Sequence, residues 1–532
     1  DYVFRGDEIF PIIKEELCKR FSGLKFVEWD VFGPTFGGEE AAVIEKLPSL
    51  LAKHNVDVAI SGIGACGACT PATMRASAVV ENSGIASVSL VTDGFLTQAN
   101  AIAPGLGIPE LPVARLVGHV DAQSYEELKQ NVIEVTVDQV VRWLTEAPSV
   151  STDLTPEQIA ATKSYRPEEI VAKGSFEDIN DIFYRRAWSD GLPIIPPTKN
   201  KVDAFLAMTN RDPNEVIGIV QPSGAAVTVR NVAINSVMAN CLPEYMAVVL
   251  AIADVLTTPE YGVEHSGDTT GADAQIILNG PIIEKLGFNY SNGALRDGYQ
   301  SNSSVGRFLR LFLRNIACSL PGAADKATFG QNYRVVLAES EEELGKLEWP
   351  TFAEDHGFKK QDNVVTLHRT TGSAMVGSVY GNDPKELAKN LADGLIRQSA
   401  WELAYTVGFA PATSRPIILI SPMIAKTIHK AGISKLDMQK MIFNYARIAA
   451  WKMERYIGHW TSLVPGRKTL NQLVDEGLAS AKYAESDDPE RLVPVVDQFK
   501  HILLLVSGDP FRSNACVFGS NGMHGGAVSK SF

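Results

Sequence analysis

The chain reads as an α/β protein of two unequal parts: an N-terminal doubly wound parallel-sheet domain and a larger mixed α/β, or α+β, domain. Three observations carry this. Residues 1–147 alternate short β-branched apolar runs with amphipathic helical stretches, the pattern of strands joined by covering helices. A polar, proline-containing stretch without apolar periodicity follows at 148–175 and reads as the connection. Beyond it, residues 176–532 mix buried helical runs and strands in no regular alternation, with a possible seam near 340–363.

In the first domain, Leu24–Val31, Val56–Ser61 and Ile85–Thr92 read as buried strands, being short, β-branched and bounded by glycine or polar residues. Residues 39–54 and 71–84 read as helices. The second has Pro71 near its start and Gly84 just past its end, as helix punctuation requires. A last helix is expected over 124–147. In the larger domain, 244–256 and 305–317 predict buried helices, with Ser303 or Ser304 as N-cap of the second. Residues 273–281, 333–338, 363–368, 415–422 and 500–510 predict strands, the last opening into a Gly-rich tail from Phe518.

The formal net charge of −13 argues against broad nucleic-acid or anionic-membrane surfaces. The apolar run from Met246 to Leu256 is too short to span a bilayer. Six cysteines in 532 residues are too sparse for a secreted disulfide framework, so a cytoplasmic location is expected. No repeat period is visible.

The chemistry concentrates in "SGIGACGACTP", residues 61–71, between a strand and a helix. Gly62, Gly64 and Gly67 spell G-x-G-x-x-G, and N–H groups at a helix start attract phosphate. However, the fingerprint normally follows the first strand of its domain, and Asp93 follows the next strand at a longer interval than the usual acidic residue. Cys66 and Cys69 read differently. A thiol at a helix N-terminus feels free N–H donors and the positive end of the dipole, both favouring thiolate. C-x-x-C spacing puts the second sulfur one turn on, where it can resolve an adduct formed by the first. The pair is therefore expected at the carboxyl end of the Val56–Ser61 strand, facing the second domain across a cleft. A metal site would need two further ligands, which the nearby sequence does not offer. A plain glycine turn remains the fourth reading.

The stretch from Val56 to Phe95 resembles the UGSC family of selenoproteins and their cysteine counterparts. The matching residues are Gly62, Gly64, Cys66, Gly67 and Cys69, with Ala68 where the family name has serine. The resemblance implies that Cys66 stands where relatives can carry selenocysteine, the position of a nucleophile or redox centre. It supplies no substrate.

The expected function is that of a thiol-dependent oxidoreductase or lyase acting on a small, anionic, electrophilic metabolite, with Cys66 as nucleophile and Cys69 as resolving thiol. Candidate substrate-binding residues are Gly62, Gly64, Gly67, Thr70, Thr92 and Asp93 in the first domain. In the second they are His265, Asn302, Ser304, Arg307, Arg512 and His524, with Arg310 beside Arg307 on the same helix. No cofactor and no metal are expected; the partner is a small molecule, with homo-oligomerisation open. The alternatives are a nucleotide-dependent oxidoreductase using the glycine loop, and a metal- or thiol-binding module without turnover.

Overall fold

A computed structural model describes residues 3–35, 40–146, 169–330, 335–379, 381–522 and 527–532. Most of the connection expected at 148–175, and His524, lie outside the described residues. Near the N-terminus, strands β1 (Val58–Gly64), β2 (Ala86–Thr92) and β3 (Val113–Leu116) form a parallel sheet in the order β1-β2-β3. Alternation along β2 distributes its side chains to two faces. Val88 and Leu90 join a core with Ile9 and Ile13 of helix α1 (Gly6–Arg20) and with Val132, Val137 and Val140. Val91 points the other way, towards Met74 and Ala78 of helix α3 (Cys69–Asn82). Small polar residues line that face: Ser89 Oγ donates to Ser77 Oγ at 2.7 Å, which lets α3 lie close on the sheet. Helix α2 (Glu40–Lys53) packs Leu47 and Leu51 against Ala76 and Val80 of α3. Gly84, one residue beyond the C-cap of α3, adopts φ +79°, the left-handed conformation that closes a helix.

Two local expectations need correction. Leu24–Val31 is not a buried strand: residues 24–28 pair with no ladder, 29–31 form one 3-10 turn, and Leu24, Phe26 and Val31 are exposed. A β-branched, aromatic run becomes a strand only when a neighbouring backbone takes up its hydrogen bonds. Conversely, β3 gives no strand signal in the sequence, because four residues are too few to show a period. The 124–147 helix is interrupted by a wider π-type turn at Val132–Thr136 and starts on a Ser124–Glu127 capping box.

The larger part has two small ribbons. One joins β4 (Val216–Val220) with β5 (Ala225–Thr228); the other joins β10 (Arg447–Ala449) with β11 (Leu492–Pro494). Its main element is a seven-stranded mixed sheet of β6 (Asp273–Asn279), β7 (Leu337–Ala338), β8 (Val364–Ser378), β9 (Ile417–Ile420), β12 (Leu503–Val506), β13 (Asn514–Ser520) and β14 (Val528–Ser531). The order is β12-β9-β13-β8-β6-β7, with β14 also on β8. The expected Gly-rich tail is corrected here, since Phe518, Gly519 and Ser520 belong to β13 inside the sheet. A Cβ on Gly519 would crowd Gln398 Nε2 at 3.0 Å and Glu402 Oε1 at 3.2 Å, so this glycine serves packing within a strand. The helix expected from Val305 begins at Gln300, with Tyr299 before it. Ser304 is thus not a cap; its Oγ donates to the Gln300 carbonyl one turn back at 2.6 Å.

The core does not stop at the edge of the N-terminal unit. Ile9, Leu90 and Ala72 belong to the same apolar cluster as Leu344, Trp349, Ile420 and Val517. A second cluster runs from Phe183 to Leu367. No helix among the described residues is long and apolar enough to cross a membrane.

Candidate active site at the start of helix α3

Strand β1 ends at Gly64, residues 65–68 turn, and α3 begins at Cys69, two residues before the expected Pro71. Thr70 fixes the turn by donating both its N–H (3.0 Å) and its Oγ1 (2.9 Å) to the Cys66 carbonyl. Cys66 and Cys69 are joined by a disulfide, their Cα atoms 5.1 Å apart. The Cys69 N–H donates to Cys66 Sγ at 3.0 Å. The two residues differ in exposure: Cys69 is 0% exposed, whereas Cys66 is only half-buried. The first turn of α3 carries no acidic side chain to offset its N-terminal partial charge.

The three glycines have packing reasons. A Cβ on Gly62 would meet Leu90 Cβ at 3.0 Å, and one on Gly64 would meet Thr70 Oγ1 and Val91 Cγ2 at 3.2 Å. At Gly67 the neighbour is the other part of the molecule: the Gly267 carbonyl oxygen would overlap a Cβ, and Asp268 Cα would lie 2.8 Å away. That backbone fills the space beside Gly67 in which the nucleotide alternative would seat a pyrophosphate.

Residues 4–146 match the model of the UGSC family. The match stops at the end of the N-terminal module, and no curated protein or solved structure matches the chain. What covers the cysteine loop of the UGSC module therefore comes from beyond the family match.

The cover is the loop between residues 261 and 272. His265, 1% exposed, sits in its 3-10 turn with Nδ1 3.1 Å from the Ala68 carbonyl oxygen and Nε2 3.2 Å from Glu40 Oε2. Burial, reinforced by Arg75 and Arg369 and opposed by Glu264, pushes His265 down to about 3, so the ring is neutral at ordinary pH. A carbonyl accepts only, so Nδ1 carries the ring hydrogen and Nε2 is bare. Arg75, from the middle of α3, pairs with both Glu40 and Glu264, tying the module to the covering loop. Gln98 closes the other side, its Nε2 donating to the Gly67 carbonyl at 2.7 Å and to the Ala324 carbonyl at 2.9 Å.

Asp268 is buried and accepts from Thr270 Oγ1 and the Ala272 N–H at 2.9 Å, and from Asn521 Nδ2; burial raises its carboxyl above the usual range. Arg369, on β8, holds the loop from behind. Its Nη2 donates to the Tyr261 and Gly262 carbonyls at 2.8 Å, and its guanidinium stacks 4.5 Å from the Tyr261 ring centroid. Tyr405 and Glu402 lie buried in this region; burial raises both, and the Asp268 charge adds to the effect on Tyr405.

Several candidate residues serve elsewhere. Thr92 Oγ1 reaches the Gly64 carbonyl only at 3.5 Å. Asp93 is committed to Arg115 and the Gly118 N–H, and the Arg115 bond holds its carboxyl below the usual range. Arg307, expected as an anion ligand, is instead spent on Asp190 (3.0 and 2.8 Å) and on the Leu192 and Pro193 carbonyls. Arg310 pairs with Asp273. Asn302 is buried and bridges Asn289 to the Val336 carbonyl. These contacts hold loops together and do not reach the disulfide. Arg512 is exposed on the turn between β12 and β13.

Among the expected residues, the fold brings Cys66, Cys69, Gly67, Thr70 and His265 together. Asp268 shares the loop already singled out for His265 and could have been found from it. Glu40, Arg75, Gln98, Arg369, Glu402 and Tyr405 sit on ordinary helices and strands, with no local signal. The other buried thiols are poor nucleophiles: burial pushes Cys241 up to about 12, and Cys516 lies inside β13. Among the described residues, no group of three or more His, Cys, Asp or Glu is arranged to hold a metal ion.

Proposed function

We propose that the chain is a thiol-dependent enzyme in which Cys66 attacks a small, anionic, electrophilic substrate and Cys69 resolves the adduct. The observation that carries this reading is the asymmetry of the pair. Cys66 is the partly exposed residue and its Sγ receives the Cys69 N–H at 3.0 Å, while Cys69 is fully buried. A hydrogen bond to sulfur at a helix N-terminus stabilises the thiolate more than the thiol.

In the reduced protein, the Cys66 thiolate forms a bond to the electrophilic atom and expels its leaving group with the bonding pair. Cys69, losing its proton, then attacks Cys66 Sγ. The disulfide forms, and the substrate fragment departs with the former S–X pair and takes up a proton. The substrate is reduced by two electrons, the pair is oxidised, and an external dithiol resets it. Behind the loop, burial favours the protonated form of Asp268, which suits it to this proton traffic.

The test uses 5,5′-dithiobis(2-nitrobenzoate), a small anionic disulfide, on protein reduced beforehand and carrying Ser at the exposed Cys18 and Cys318. The intact pair should release both thionitrobenzoate equivalents and end as a disulfide. Cys69→Ser should release one and retain the other on Cys66, visible as added mass. Loss of reactivity in Cys69→Ser, with Cys66→Ser still reacting and keeping the adduct on Cys69, would reverse the roles. Loss of reactivity in neither variant would refute the mechanism.

A further inference from the structure

Far along the chain from the cysteine loop, the helix Ala450–His459 presents one face to solvent. Trp451, Glu454, Arg455 and His459 follow helical spacing on that face, while Met453 and Ile457 are buried on the other. Trp460 extends the row beyond the helix end. The chain then returns, and Arg467, Lys468 and Thr469 form the opposite wall of an open groove of 610 Å³. One contact ties the walls together: Glu454 Oε1 accepts the Leu470 N–H at 2.9 Å.

The charges of this groove are unevenly used. Glu454 is committed to the Leu470 N–H, and Lys468 pairs with Glu476. Arg455 and Arg467 have no acidic partner among the described residues, and His459 stands beside them. The groove is thus locally cationic on a chain whose net charge is −13. Its walls also hold two indoles in solvent, Trp451 at 43% and Trp460 at 58% exposure. Arg455 lies 5.7 Å from the Trp460 ring centroid, and Tyr456 meets Trp460 edge-on at 4.5 Å, which steadies the ring. Unpaired guanidinium forks match phosphate oxygens, and exposed indole faces match a flat π-system. The volume is that of a small-molecule site.

We propose that this groove binds a planar aromatic anion of the nucleoside-phosphate class, its ring on Trp460 and its phosphate between Arg455 and Arg467. The site is independent of the thiol chemistry and stands or falls separately from it.

The test is titration of the full chain with AMP, followed by tryptophan fluorescence and calorimetry. Saturable binding with quenching is expected, weakened by added salt. Replacing both arginines (Arg455→Gln with Arg467→Gln) should weaken it at least about tenfold, the scale of one or two lost charge-assisted contacts. Trp460→Leu should weaken binding and remove most of the quench. Adenosine and inorganic phosphate, tested separately, should each bind at least about tenfold more weakly than AMP, because each makes only half of the contacts. Arg185→Gln, an exposed change at a pair with Asp181 elsewhere, should bind AMP as the unaltered chain does. Absence of saturation at millimolar AMP, unchanged affinity in the double arginine variant, or phosphate binding as tightly as AMP would each overturn the proposal.

Discussion

The 267–268 backbone of the covering loop occupies the space a side chain at Gly67 would need, and Gly67→Ala tests that packing directly. The added methyl would overlap the Gly267 carbonyl oxygen and lie 2.8 Å from Asp268 Cα and 3.1 Å from its carbonyl carbon. All three obstacles are backbone, so no side chain can swing aside. Overpacking of this kind costs about 1–3 kcal/mol, and the upper end is expected where only backbone can yield. With a urea dependence of about 3 kcal/mol per molar, about 3 kcal/mol moves an unfolding midpoint by about 1 M. Gly94→Ala is the control, since its Cβ would find nothing within 4 Å and its φ is not positive. Reduced Gly67→Ala protein should also alkylate faster at Cys66, because the cover must lift to admit the methyl. A urea midpoint and alkylation rate equal to those of Gly94→Ala would refute the packing argument.

Three further outcomes are expected. His368 donates from Nε2 to the Arg415 carbonyl at 2.7 Å, and burial pushes it down to about 4; its stabilisation is complete above the unfolded value near 6.5 and is lost as pH falls from there towards 4. Between pH 7 and pH 5, His368→Gln should lose about 2 kcal/mol less unfolding free energy than the unaltered chain, from about 1.4 kcal/mol per pH unit. The buried carboxyls Asp268, Glu339 and Glu402, raised by burial, act in the opposite direction in both proteins and cancel in the comparison. Arg369→Met should remove two charge-assisted bonds to the Tyr261 and Gly262 carbonyls and raise hydrogen exchange across 261–268 at least tenfold, the effect of about 1.4 kcal/mol or more; unchanged exchange there would show that Arg369 does not hold the loop. Arg307→Gln should loosen the 189–193 segment through loss of Asp190, measured as faster exchange in that segment, and leave the dithiobis(nitrobenzoate) reaction unchanged; a slowed reaction would return Arg307 to the substrate site.

Local pattern was enough for much of the fold. Val58–Gly64 and Ala86–Thr92 stand where β-branched runs bounded by glycine and polar residues put them, and α3 closes at Gly84 as helix punctuation requires. The same reasoning failed at Leu24–Val31, because a strand is completed by a partner backbone that no short window contains. It failed again at Phe518–Ser520, because a glycine that makes room for Gln398 and Glu402 looks in isolation like a loop residue.

The candidate site divides along the same line. By itself the sequence determined that two cysteines stand at a strand-to-helix switch, since β-branching, glycines and helix-start signals are properties of adjacent residues. Only the tertiary structure decided which sulfur is buried, and that His265, Asp268 and Gln98 meet the loop from segments up to about two hundred positions away. It likewise turned Arg307 from a candidate ligand into a structural ion pair with Asp190. Burial and long-range pairing depend on which surfaces the folded chain brings into contact, and those contacts set both the protonation of His265 and the access to Cys66.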